Sequence, residues 1–422
     1  MSARRDQVVV TGAGVLSPLG YARAPLFEGL LEGRSGLRPV EGFDTRGLAL
    51  PRVGELNGDG PEQFLEGRSL RPLDRTGRLA AAAAELVLAD SGFRAYYGSD
   101  EAESLPAGLV LGTMYGSVRT ISEFDRRALT AGPQYTKPFD FANSVINAAA
   151  GQAAIWHGLA EINATVAGGT TAGLAALAHA ADLLRIGRAS ALVAGGAEEL
   201  CFESCWSFSR AGLLAREPEG PGAGTPFHAH RNGFLPGEGA ALLMLETVTA
   251  ARSRGAEILG HLTGSGSSFD PSRGQDGERS ATAVRRAILA ALKDAGREPA
   301  DVDGLSTSAS GSVAVDRAEA LGIAAALGRH AAELPVTAVK GSLGEGLGAS
   351  GAFQTLALLE AMSAGVLPGI RGLDEPEPEL PFRLAGSSAH EGRFRCGLVT
   401  SLSWDGHACA LVVEGPGEEA RS

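Results

Sequence analysis

LAAAAAELVLADSGFRAYYGSDEAESLPAGLVLGTMYGS (79–117) and ATAVRRAILAALKDAGREPADVDGLSTSASGS (281–312) decide the fold, because the second repeats the plan of the first. Each opens as an alanine-rich helix. The first then runs through Asp90-Ser91-Gly92 and a polar loop to a strand, Gly108–Leu111, ending at Gly116-Ser117. The second runs through Asp294-Ala295-Gly296 and a polar loop to Gly304-Leu305, ending at Gly311-Ser312. Aspartate followed by glycine at a helix end is a stop signal in both copies. Self-similarity at this spacing marks a duplicated unit.

A second pair of segments extends the match. Gly168-Gly169 opens a helix over 173–186, followed by a strand at 191–194. Gly344 to Gly351 opens a helix to Met362, and 395–402 reads as a later strand. Strands alternating with helices in both halves predict mixed or parallel sheets covered by helices. The polar, basic stretch 251–258 reads as a helix end at the junction, so the halves are 1–252 and 253–417, with a tail at 418–422.

Composition removes several classes of function. A net charge of −12 opposes nucleic acid as a partner, since phosphate binding needs a basic surface. No apolar run approaches the ~20 residues of a membrane span, so no membrane association is expected. Arg4 and Arg5 are followed by no apolar segment of the secretory kind. The four cysteines (Cys201, Cys205, Cys396, Cys409) form neither a disulfide framework nor a zinc site, and read as reduced packing residues of a cytoplasmic protein. VVVTGAG (8–14) resembles the start of a dinucleotide fingerprint, but Ser17 stands at its sixth position and Pro18 would interrupt the helix. No Lys-Ser/Thr follows a glycine loop, and no cofactor is implied.

Five segments together carry a specific resemblance over nearly the whole chain: VVVTGAGVLSPLG (8–20), KPFDFANSVINAAAGQ (137–152), ALVAGGAEE (191–199), TPFHAHRNGFLPGEGAALLMLE (225–246) and KGSLGEGLGASGA (340–352). They resemble the β-ketoacyl synthase family of fatty-acid and polyketide synthesis. The resemblance implies the thiolase fold, two duplicated βαβαβ-type α/β halves in a five-layer αβαβα arrangement, dimerising through the first half. It also implies a chemistry: a cysteine at a helix N-terminus takes the acyl chain, two histidines assist decarboxylation and stabilise the enolate, and a lysine holds one histidine.

At those positions the sequence departs from the family. Thr170, 25 residues before Gly195, stands for the cysteine; Ser308, eight before Asp316, for the first histidine; Glu345, five after Lys340, for the second. Lys340 is retained, and the family's Phe-Gly-rich gate reads Ser401-Leu402-Ser403-Trp404-Asp405-Gly406. A hydroxyl is a weak nucleophile without a base. A glutamate at the second position would oppose the forming enolate. Register error does not restore the set: no cysteine lies within 25 residues of Thr170, and no histidine lies between His261 and His330.

Among relatives, a ketosynthase-like chain without the cysteine resembles the chain-length factor of type II polyketide synthases. Better-known members carry glutamine at position 170; the threonine here suits divergent members serving polyene or other reduced chains. The resemblance implies a heterodimer with a catalytic ketosynthase, and docking of an acidic acyl carrier protein mainly on that partner. It implies a chain tunnel lined by 112–125, with Tyr115, Val118, Ile121 and Asp125 on one helix face and Phe124 beside them. The partner interface is expected at 137–156, through Phe139, Phe141, Val145, Ile146, Ile155 and Trp156. Two other readings stay open: an acyltransferase using Thr170 or Thr171 with Glu345 as base, and a scaffold without influence on product.

Overall fold

In a computed structural model that describes residues 7–58, 60–97, 105–382, 384 and 386–416, both halves are built on one strand order. The tail at 418–422 lies outside the described residues. The first half supplies β1 (Val8–Ser17), β2 (Gly108–Gly112), β3 (Asn163–Val166), β4 (Ala191–Glu198) and β5 (Gly239–Thr247). The second supplies β6 (Gly260–Phe269), β7 (Gly304–Ser306), β8 (Val336–Thr337), β9 (Cys396–Leu402) and β10 (His407–Glu414). Their order is β3-β2-β4-β5-β1 and then β6-β10-β9-β7-β8, the same arrangement read outward from the middle. β2 runs parallel to β3 and β4, as β7 does to β8 and β9; the other pairs are antiparallel. β1 meets β6 through Val8–Leu262, Val9–His261 and Val10–Gly260, which joins the halves. The duplication read from sequence is a duplication of topology.

The helices used below are α1 (Arg75–Asp90), α2 (Val118–Thr130), α3 (Pro138–Ala142), α4 (Ala148–His157), α5 (Ala172–Arg185) and α6 (Phe202–Ala211). α7 (Gly277–Ala295), α8 (Val313–Leu327) and α9 (Ser350–Ala364) follow. Three apolar cores make the five layers. Leu174 and Leu177 of α5 pack with Phe353 and Leu356 of α9 between the two sheet halves. Leu79 and Val87 of α1 with Ala149 and Ala153 of α4 cover one outer face. Ile288 of α7 and Ile323 of α8 cover the other. Matching glycines allow the outer helices to approach. A Cβ on Gly14 would lie 2.0 Å from the Ala83 carbonyl, and one on Gly266 would lie 2.2 Å from that of Ala287. The glycines of VVVTGAG therefore serve helix packing within a wholly buried strand.

Local chemistry sets the helix ends. Asp74 accepts from the Gly77 amide and Asp276 from those of Glu278 and Arg279, so α7 begins four residues before the expected Ala281. Gly92 and Gly296, at φ +64° and +66°, follow α1 and α7 as the stop signals predicted. Gly344 (φ +77°) and Leu347 (φ +50°) hold the chain off a regular helix, so α9 starts at Ser350, near the end of the 344–351 stretch expected to open it. Among the described residues no helix is long and apolar enough to cross a membrane.

Candidate functional site

Thr170 lies in the turn between β3 and α5, with Thr171 as the residue preceding the helix. Thr171 Oγ1 donates to the Gly168 carbonyl at 2.6 Å. The Thr170 amide donates to Ser403 Oγ at 3.3 Å, and Ser401 Oγ donates to the Thr170 carbonyl at 3.5 Å. The C-terminal end of β9 thus clasps the turn from the other half of the molecule. The positive end of α5 would favour a thiolate here. It does little for a threonine hydroxyl, which stays protonated near neutral pH, and Thr170 is only 1% exposed.

Ser308 follows β7 and is fully engaged. Its Oγ donates to Glu319 Oε1 at 2.9 Å and accepts from the Leu402 amide at 3.0 Å, while its own amide also reaches Glu319 Oε1. Thr400 Oγ1 donates to the same oxygen at 2.8 Å. Glu319 Oε2 is buried without a partner, and burial pushes this carboxyl up to about 7 despite the three bonds. A serine held this way has no basic group to offer.

Lys340 Nζ donates to Glu345 Oε2 at 2.7 Å. Glu345 Oε1 accepts from the Leu347 amide at 3.0 Å and from Ser350 Oγ at 2.9 Å. The Glu345 backbone is bonded to Leu235 and Gly237 of the first half. The glutamate is thereby neutralised, and it also steadies Leu347 in its left-handed conformation.

Around this core the chain fills its own space. Trp404 stacks on Phe234 with ring centroids 5.4 Å apart and an 8° interplanar angle. Phe208 meets Trp404, Phe234 and Tyr115 at 5.4, 5.3 and 5.8 Å. Glu198, at the end of β4, accepts the Met114, Tyr115 and Gly348 amides at 2.6, 2.9 and 3.2 Å. Burial still raises Glu198 to about 7 and Glu199 beside it to about 8.

One expectation is corrected. Tyr115 is not on the helix face, because Glu198 holds its amide in the loop and α2 begins only at Val118. Val118, Ile121 and Phe124 are half-buried and Asp125 is exposed; Phe124 meets Phe141 with centroids 5.9 Å apart. Trp156 is half-buried under the Arg68 guanidinium, unlike Phe139, Phe141, Val145, Ile146 and Ile155, which are exposed. The four cysteines are buried and unpaired, and burial pushes Cys201, Cys396 and Cys409 up to about 12. Sequence reading missed Glu319 and the aromatic cluster. The one available signal was Asp316 and Glu319 three apart on an otherwise alanine-rich helix.

The β-ketoacyl synthase N-terminal domain model matches residues 5–251 and the C-terminal domain model matches 259–374. The chain belongs to the β-ketoacyl synthase family. It is 31% identical to the oxytetracycline polyketide putative β-ketoacyl synthase 1 of Streptomyces rimosus, with 99% of this chain and 98% of that protein covered. It is 31% identical to the tetracenomycin polyketide synthase ketoacyl synthase beta subunit of Streptomyces glaucescens (97% and 98% covered). To the 3-oxoacyl-[acyl-carrier-protein] synthase 2 of Vibrio cholerae it is 32% identical (90% and 91% covered). The ishigamide ketosynthase/chain length factor superposes with a TM-score of 0.88 at 29% identity, covering 98% of this chain and 100% of that one. A type II PKS ketosynthase complexed with its acyl-carrier protein and bound to the hexaketide gives 0.86 at 26% identity, with 98% and 100% covered. The thiolase fold is shared by these β-ketoacyl synthases; what this member presents in the site is hydroxyls and a closed ion pair.

Proposed function

We propose that this chain is the non-catalytic, chain-length-setting subunit of a type II polyketide synthase, working in the cytoplasm beside a cysteine-bearing ketosynthase. The observation that carries the reading is the state of the site: Thr170, Ser308, Lys340 and Glu345 are 1–2% exposed, and the last three satisfy one another or buried neighbours. Decarboxylative condensation needs a thiolate and donors facing the forming enolate. A hydroxyl acyltransferase would need Glu345 as a free base, and its carboxylate is bound to Lys340, Leu347 and Ser350.

Pairing with a ketosynthase is supported by an exposed apolar face on the first half. Phe139, Phe141, Val145, Ile146 and Ile155 are 43–72% exposed, and Arg68 braces the carbonyls of Ile155 and Trp156. Such surface is what an obligate interface covers. β3 adjoins it with an unpaired outer edge among the described residues. The growing chain, carried by an acyl carrier protein docked mainly on the partner, would run along Val118, Ile121 and Phe124 of α2 and past Tyr115, and their bulk would set its length. The product is read as a polyene or other reduced chain.

Native mass spectrometry of the chain co-expressed with a cysteine-bearing ketosynthase, before and after adding malonyl-loaded acyl carrier protein, tests the reading. A one-to-one complex acylated on the partner alone is expected. A homodimer that takes the acyl group on its own residues overturns it.

A further inference from the structure

The hairpin between β9 and β10 is pinned at every residue. The Ser403 amide donates to the His407 carbonyl at 2.8 Å, and the Gly406 amide to that of Ser403 at 3.0 Å. Asp405 Oδ1 accepts from the His407 amide at 3.3 Å and lies 3.2 Å from His407 Nδ1. From behind, the Asp270 amide donates to the Gly406 carbonyl at 2.8 Å, and a Cβ on Gly274 would stand 2.6 Å from the Trp404 carbonyl. In front, Ser403 holds the Thr170 amide, and a Cβ on Gly169 would lie 2.2 Å from Ser403 Oγ. Between these contacts the Trp404 indole reaches into the aromatic cluster of Phe208 and Phe234.

We propose that this hairpin is a fixed stopper, with the Trp404 ring closing the space over Thr170, so that the subunit holds no acyl chain of its own. The inference rests on the non-catalytic reading and deepens it. Loss of the nucleophile alone would leave an empty acyl pocket able to compete with the partner for the chain. A shut pocket sends the whole chain to the partner's side of the interface. Tryptophan is well suited to closing it, because its large ring meets two aromatic neighbours, one stacked and one edge-on. The four native thiols are buried, so a thiol introduced at the turn is a clean probe.

The test is alkylation of Thr170→Cys by iodoacetamide in the isolated full-length chain, mapped by peptide mass spectrometry, with circular dichroism as the folding check. With Trp404 present, modification at position 170 is expected to be at least tenfold slower than in Thr170→Cys/Trp404→Ala. Thr170→Cys/Trp404→Phe, which keeps a ring against Phe234, is expected to stay slow. Thr170→Cys/Asp405→Ala, which loosens the hairpin and leaves the ring in place, is expected to fall between. Equal rates with and without Trp404, fast or slow, overturn the stopper. Because no partner is present, that result leaves the non-catalytic reading to be judged by the acylation experiment above.

Discussion

Lys340 and Glu345 form an ion pair 2.7 Å long in which each side chain is 2% exposed. Two charges withdrawn from water to this degree are tolerable only together. Each of the two residues thus satisfies the other's buried charge.

Breaking that pair from one side leaves a bare charge in the core. Glu345→Ala is expected to lower unfolding free energy by about 3–5 kcal/mol. Lys340→Met/Glu345→Leu should recover part of the loss, because no charge is left unpaired. Urea unfolding of the three proteins decides it; a single-substitution cost below about 1 kcal/mol would contradict a buried pair.

Rebuilding the family's residues should not rebuild an enzyme. In Thr170→Cys/Ser308→His/Glu345→His, the imidazole at 308 would enter a site only 2% exposed, and Ser308 Oγ is already bonded on both sides. Overpacking of this kind costs about 1–3 kcal/mol. The expected outcome is a less stable protein with no condensation product from malonyl-loaded carrier protein. Turnover by the isolated triple variant would show that the scaffold is still catalytic.

Glu319 makes stability depend on pH. Its folded value, about 7, lies above the ordinary carboxylate range, so the folded state holds the proton more tightly than the unfolded state. That contribution is complete below the unfolded value and is lost as pH rises through about 7. Glu319→Gln keeps an acceptor for Ser308 and Thr400 and removes the titration. The variant's stability relative to the parent should therefore rise between pH 5 and pH 8. Parallel stability curves across that range would mean that Glu319 does not titrate there.

Assembly and fold should separate at Ile155, which is 72% exposed. Ile155→Asp is expected to leave the isolated chain's stability within about 0.5 kcal/mol of the parent, as surface changes do. The same change should weaken binding to the ketosynthase at least tenfold, read by analytical ultracentrifugation or titration calorimetry. Unaltered affinity would move the interface elsewhere.

Chain length should respond to α2. Val118→Phe and Ile121→Phe are expected to shorten the product of the reconstituted complex, and Ile121→Ala to lengthen it, as seen by mass spectrometry. A constant product from all three would remove α2 from the tunnel.

The fold was legible because it is written twice: Asp-x-Gly stops, glycine approaches and apolar runs recur at matching places, and each is a local signal. Thr170, Ser308 and Glu345 were singled out only through their spacing from Gly195, Asp316 and Lys340. Their partners were not, since Ser403 reaches Thr170 across 233 residues of sequence. Neither was the aromatic cluster, whose members come from four separate segments. Helical periodicity put Tyr115 on α2, but it carries no trace of the Glu198 carboxylate that holds the preceding loop out of the helix.

The two halves share a topology but not a perimeter. At the outer edge of the second half, β8 is two residues long, wholly buried, and preceded by Pro335, which offers no amide. At the outer edge of the first half, β3 is twice as long and its residues are partly open to solvent. Among the described residues, one rim of this sheet is therefore better suited than the other to accept another strand. Growth by edge pairing would then end at the first partner, giving a closed pair in place of an open-ended fibre.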